Sequence, residues 1–300
     1  MDFLKITDFS KEKIKNLIGS SISFKQKEGT SLKSDYIPLS RKHIGLFFER
    51  PSTRTRISMS VAVEDLGATP HQLDEENMQL KRGEAIEDTA KVLSRYFHGM
   101  AARALEHESI ERFANNSDIP VVNAMSSKFH PCQALADLHT IKEYKKTFSD
   151  TRLAWIGDGN NVCSSIILGG AVVGMDLIVA TPKGYEPEKS VLDEASKYEG
   201  NVEITNDPKV AAEGADALYT DVWVSTGYED ERAKRESDFE KFTVKKNLLE
   251  LAKDDSIVMH CMPIEGEEID REVVEGPNSV IYDQAENRLH TAKALFAYIF

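Results

Sequence analysis

Short apolar runs rich in β-branched and aromatic residues recur along this chain with helix-length segments between them, and few architectures accept that alternation. In the second half the runs fall at 153–156, 177–180, 202–205, 217–220, 257–260 and 280–282; in the first half, at 44–48 and 121–124. Between the first-half runs, segment 84–97 carries Ile86, Ala90, Leu93 and Phe97 on one helical face. Strands that alternate with helices feed a parallel sheet wrapped by helices on its faces. Asp207-Pro208 and Pro187 mark helix starts, because proline tolerates the first helical turn, where its missing N–H costs nothing. The segment 285–300 has Leu289, Ala292, Leu295 and Ile299 on one stripe and is expected to dock. With 300 residues and 41% apolar content, the chain can bury the cores of about two such domains.

A formal charge of -13 disfavours nucleic acid and anionic membrane as general partners, because a long-range negative field repels both. An anionic small molecule would have to be captured locally, by a cluster of arginines such as Arg50, Arg54, Arg56 and Arg103. The start of the sequence lacks a basic region followed by an apolar one, and no apolar stretch approaches the roughly 20 residues of a membrane span, so a cytoplasmic location is expected. Cys132, Cys163 and Cys261 are odd in number and widely spaced, which excludes a simple disulfide framework and provides no Cys-x-x-Cys pair for zinc.

In sheets of this kind ligands bind beyond the carboxyl ends of the strands. Five segments stand there. Ser52-Thr53-Arg54-Thr55-Arg56 follows the first strand and opens a helix, where unpaired N–H groups, the helix dipole, hydroxyls and arginines converge on an anion of phosphate size. The same residues also suit a plain N-cap and a solvated helix face. His130-Pro131-Cys132-Gln133 offers an imidazole that can polarise a carbonyl and an amide that can read an NH₂ group; as metal ligands, His130 and Cys132 lack a second pair. In the segment 157–161, Gly157 and Gly159 resemble a dinucleotide fingerprint, but Val162 replaces the third glycine and no acidic residue follows at the ribose position. The glycines fit tight turns that let Asn160 and Asn161 face a ligand, and no cofactor or metal is expected. Asp221, Trp223 and Ser225 alternate, so an extended backbone places them on one face, where an acid and a hydroxyl suit the charged ends of an amino acid or a strand-end turn. His260-Cys261-Met262-Pro263 ends in a shaped turn, and the adjacent His260 and Cys261 are expected on opposite faces, unable to meet as base and nucleophile.

In this order the segments resemble the transcarbamylase family, from Leu46 to Arg288, and within it the branch that uses ornithine. Ser52-Thr53-Arg54-Thr55-Arg56 looks like the family's carbamoyl phosphate motif, and the run from His130 to Asp137 matches its second motif. Three further segments resemble the ornithine branch: 157–161, the Asp221-x-Trp223-x-Ser225 loop, and His260-Cys261-Met262-Pro263. The resemblance implies two doubly wound parallel-sheet α/β domains joined by helices, with the active site in the cleft between them. A carbamoyl phosphate domain would span 1–133, with a helix of about 289–300 docking back, and an ornithine domain 134–288. It implies that Ser52, Thr53, Arg54, Thr55, Gln79, Arg103, His130, Gln133 and Arg288 take carbamoyl phosphate, Gln79 being lent to a neighbouring subunit of a homotrimer. Asn161, Asp221, Ser225, Thr226, Cys261 and Met262 would take L-ornithine, with Arg54, Arg103, His130, Asp221, Cys261 and Arg288 carrying the chemistry. A cis Met262–Pro263 peptide is also implied. The chain departs from the family where Thr226 stands for a usual methionine and Lys81 for a common glycine, so putrescine or an N-acylated ornithine is the alternative acceptor. A non-catalytic anion-binding protein of the same fold would be expected to lack His130, Gln133 or Cys261, and all three are present.

Overall fold

The computed structural model of the chain describes residues 1–28, 37–104, 106–225 and 228–300. Nine strands occur among them: β1 His43–Phe48, β2 Thr69–Asp74, β3 Gly99–Arg103, β4 Val121–Met125, β5 Arg152–Ile156, β6 Asp176–Ala180, β7 Asn201–Thr205, β8 Ala217–Thr220 and β9 Ile257–His260. The α-helices are α1 Lys11–Glu28, α2 Arg54–Asp65, α3 Ile86–Leu93, α4 His107–Asn115, α5 Pro131–Lys145, α6 Asn161–Val173, α7 Lys189–Ala195, α8 Pro208–Ala212, α9 Arg232–Phe239, α10 Lys246–Leu249, α11 Arg271–Val274 and α12 Ile281–Ile299.

The chain forms two compact units, one of Met1–His139 with Glu286–Phe300 and one of Thr140–Ala285. These divisions, at 139/140 and 285/286, fall inside helices α5 and α12, and Arg288 belongs to the first unit. The first unit holds a sheet in the order β2-β1-β3-β4 and the second a sheet in the order β7-β6-β5-β8-β9. Every pairing is parallel. Each order reverses direction once, between β1 and β3 and between β5 and β8, and such reversals open a crevice at the strands' carboxyl ends.

The expected strands appear with boundaries within a residue, except 280–282. There Val280 donates one N–H to the Val258 carbonyl, and the chain then turns directly into α12. Ile281, Gln284, Arg288, Ala292 and Leu295 are buried along one helical face, a 3.6-residue period that outweighs the β preference of a three-residue run. Two strands carry no strong sequence signal. Polar β2, with Pro70, is an edge strand, where a missing N–H is tolerated, and β3, Gly-Met-Ala-Ala-Arg, is a strand because burial between β1 and β4 overrides weak propensity. The predicted helix at 84–97 is shorter, at Ile86–Leu93, whereas Asp207 caps α8 as expected, accepting the Lys209 N–H at 2.9 Å. No helix among the described residues is long and apolar enough to cross a membrane.

Candidate active site

The first unit's crevice is built around the opening of α2. Phe48 and Arg103 are register partners at the ends of β1 and β3, so the chain leaving β1 passes beside the Arg103 guanidinium. Arg103 Nη1 donates to Ser52 Oγ at 3.3 Å. Thr53 is the N-cap residue, yet no side chain caps α2, and Ser52 is engaged by Arg103 instead. The plain N-cap reading therefore fails, and the first-turn N–H groups keep their donors for an anion. Arg54, half-buried at the first helical position, makes no side-chain hydrogen bond or ion pair with the other described residues. Arg56 departs from the expected arginine cluster: it pairs with Asp74 and its guanidinium stacks 5.0 Å over the Phe48 ring.

Buried Arg288 ties this segment to α5. Its guanidinium donates through Nη2 to Thr55 Oγ1 at 2.5 Å and through Nη1 to Gln133 Oε1 at 2.8 Å. Gln133 in turn donates from Nε2 to Asp137 Oδ1 at 2.8 Å. That bond fixes the amide with its oxygen toward Arg288, leaving the second lone pair of Oε1 for an NH₂ group. His130 is buried beside them, and burial, reinforced by the Arg288 and Arg103 charges, holds its pKa well below the ordinary histidine value. It is a neutral imidazole that can donate an N–H hydrogen bond without giving up a proton. Burial pushes the Cys132 thiol up to about 12, and its Sγ donates to the Asn123 carbonyl at 3.4 Å. Gln79 stands apart on an exposed 3₁₀ turn after β2, with Arg82 as its recorded partner at 3.5 Å.

The second unit's crevice lies after β5 and β8. Gly157 has φ +145°, and a Cβ on Gly159 would stand 2.4 Å from the Pro187 nitrogen, so both glycines are demanded by the turn. The turn delivers Asn160 as the N-cap of α6, its Oδ1 accepting from the Val162 and Cys163 N–H groups at 3.0 Å each. Asn160 Nδ2 then donates to Asp221 Oδ2 at 2.8 Å and reaches Ser225 Oγ at 3.5 Å. Cys261 Sγ donates to the other Asp221 oxygen at 2.9 Å. Asn161, the predicted ligand, is the first residue of α6 and half-buried beside this group. Asp221, Ser225 and Cys261 thus meet as expected, while Thr226 lies outside the described residues.

One expectation about β9 is overturned. His260 and Cys261 do come together: their donor atoms and an Asp221 oxygen all lie within 4.8 Å of one another. The strand ends at His260, Met262 adopts φ 60°, and the Met262 N–H donates to His260 Nδ1 at 2.8 Å, curling the ring back over the turn. His260 Nε2 then donates to buried Glu268 Oε1 at 3.0 Å, which itself accepts the Glu265 N–H. Burial opposes the Glu268 charge, but the His260 and backbone hydrogen bonds outweigh it and hold that carboxyl below its ordinary value. With both ring nitrogens hydrogen-bonded, His260 shapes the turn. The Met262–Pro263 peptide is cis.

Asp137, which orients Gln133, and Asp158, which pairs with Arg235, were given no role by the sequence, whereas Asn160 was expected to face a ligand and is found capping α6 and bonded to Asp221. Asn160 alone had a signal, a capping residue type directly before a helix and after a strand.

Two family models together cover almost the whole chain. The aspartate/ornithine carbamoyltransferase carbamoyl-P binding domain matches residues 1–143, and the Asp/Orn binding domain matches 149–299. The second match runs into α12, whose residues from Glu286 onward pack in the first unit. The chain is 50% identical over 295 residues to an ornithine carbamoyltransferase of Methanosarcina acetivorans, covering 98% of this chain and 97% of that protein. It is 46% identical over 306 residues to one of Methanocaldococcus jannaschii, covering 100% and 99%. Among solved structures it is similar to ornithine carbamoyltransferase from Pyrococcus furiosus, with a TM-score of 0.95, 42% identity and coverage of 99% and 96%. The enzyme from Thermus thermophilus gives 0.90 and 39%, with coverage of 99% and 98%.

Proposed function

The chain belongs to the aspartate/ornithine carbamoyltransferase family, and from that premise we propose that it transfers the carbamoyl group of carbamoyl phosphate to the side-chain amine of L-ornithine, giving L-citrulline and phosphate. The observation that carries the reading is the pair of hydrogen bonds that Arg288 donates to Thr55 and Gln133, because it joins a phosphate cradle to an amide acceptor suited to a carbamoyl NH₂. In this reading the uncapped first turn of α2, with Ser52, Thr53, Arg54 and Arg103, takes the phosphate. Thr55, neutral His130 and Arg288 hydrogen-bond the carbamoyl oxygen, and Gln133 accepts from its nitrogen. Asp221 pairs with the α-ammonium of ornithine, Asn161 and Ser225 with its carboxylate, and the Cys261-Met262 turn orients the side-chain amine.

The neutral amine attacks the carbamoyl carbon, the oxyanion forms among those donors, and as the C–O bond to phosphate breaks the nitrogen passes its proton to the departing phosphate. An amine that titrates like lysine, near 10.4, is neutral in only about one of a few thousand molecules at pH 7, so the site must favour the neutral form. No covalent enzyme intermediate is required.

The test is an amine panel offered with carbamoyl phosphate, read as carbamoylated product. Ornithine should be used best. Putrescine, lacking the carboxylate, should have kcat/KM lower by about ten- to a hundredfold, the effect of leaving one or two polar groups unpaired. Turnover of putrescine or an N-acylated ornithine ahead of ornithine would overturn the acceptor, and turnover of none would overturn the activity.

We further propose a cytoplasmic homotrimer in which Gln79 serves a neighbouring subunit, supported by its exposure away from its own chain's cluster. Mixing inactive Arg54→Ala and Gln79→Ala subunits should then restore part of the activity, because some sites draw both intact residues. Full activity in a species that sediments as a monomer would sink the idea.

A further inference from the structure

Helix α9 is charged along nearly its whole length, yet it turns one arginine inward. Of its residues Arg235 and Phe239, one turn apart, are buried, at 5% and 0% exposure. The Arg235 guanidinium donates from Nη1 to Asp158 Oδ2 at 2.8 Å and to the Trp223 carbonyl at 3.0 Å, and from Nε to Glu231 at 2.9 Å. Its central carbon lies over two rings, 5.0 Å from the Tyr185 centroid and 4.5 Å from that of Tyr228. Phe239 stacks on the Trp223 ring at 5.7 Å. Trp223 is thus held by its ring and by its carbonyl, and it is the middle residue of the alternating Asp221, Trp223 and Ser225. Asp158 belongs to the turn that delivers Asn160, the hydrogen-bond partner of Asp221.

We infer that Arg235 is a positioning residue for amino-acid recognition: by bridging Asp158 to the Trp223 carbonyl it locks the turn after β5 to the loop after β8 and sets the spacing of Asp221, Asn160 and Ser225. This rests on the reading of the second unit as the ornithine side. A surface ion pair would not do this work. The pair is buried, the guanidinium donates to three oxygens from two of its nitrogens, and lysine could not reproduce that fork. Burial raises the Asp158 carboxyl to about 6 and Arg235 holds it back from rising further, so at neutral pH the carboxylate is ionised and the pair is charged.

The experiment is steady-state kinetics of Arg235→Gln and Arg235→Lys with each substrate varied in turn, after ornithine turnover has been measured for the unaltered chain. That first measurement tests the acceptor reading by itself. Arg235→Gln should raise KM for ornithine by about ten- to a hundredfold, the scale of two lost hydrogen bonds to a charged group. KM for carbamoyl phosphate should stay within twofold, roughly the scatter expected for a distant, independent site. Arg235→Lys should recover only part of the ornithine effect. A merely structural arginine would instead lower the active fraction, reducing kcat with both KM values unchanged, and that outcome overturns the inference. Should Arg235→Gln fail to fold, Tyr228→Leu removes one exposed stacking ring and should raise KM for ornithine severalfold. An unchanged KM in that variant would overturn the inference equally.

Discussion

Replacing Arg288 by methionine is expected to lower kcat for citrulline formation by about a hundred- to a thousandfold, the cost seen when one preorganised oxyanion donor is removed. Methionine fills a similar volume without a donor, so Thr55 Oγ1 and Gln133 Oε1 lose their common partner and the amide is free to rotate. Arg288→Lys should fall between the two, because an ammonium keeps the charge but cannot serve both oxygens from one rigid plane. Thermal melting of the variants separates this from misfolding. A kcat within tenfold of the unaltered chain would remove Arg288 from the proposed chemistry.

For Asp221→Asn the expected loss lies in kcat/KM for ornithine, by about a hundred- to a few thousandfold, the scale of breaking a buried charge pair. Asp221 Oδ1 and Oδ2 accept from Cys261 and Asn160, and an asparagine in its place must turn an NH₂ toward one of those donors while losing the charge proposed to pair with an α-ammonium. KM for carbamoyl phosphate should hardly move, since its proposed ligands all belong to the first unit. Equal losses for both substrates, or none, would contradict the division of roles.

Much of this arrangement was readable because its chemistry is local. An anion cradle needs hydroxyls and arginines within one helical turn, so Ser52, Thr53, Arg54 and Thr55 announce themselves. Strand ends followed by glycine, asparagine or aspartate mark the crevices in the same way. What the sequence could not specify depends on contacts between distant segments. Nothing near Arg56 reveals that Asp74 will claim it, and nothing in the order Gln133, Asp137, Arg288 says that one guanidinium will orient an amide. Arg235 sits in a run of charges that reads as a solvated face, and only the packing of Tyr185, Tyr228 and Asp158 makes it interior. The His260 error has the same origin: alternation along a strand holds only while the strand lasts, and β9 ends one residue before Cys261. Likewise β3 is a strand by position and not by propensity.

The division of the chain also orders its biosynthesis. The second unit is contiguous, whereas the first needs residues 286–300 to join 1–139. The segment that completes the first unit is therefore made last, after every residue of the second. Thr55 and Gln133 then wait for Arg288, and a chain stopped anywhere short of that residue lacks the guanidinium that joins them. The bridge between α2 and α5 is thus the last contact of the first unit that translation permits, and only a chain that extends past residue 288 can make it.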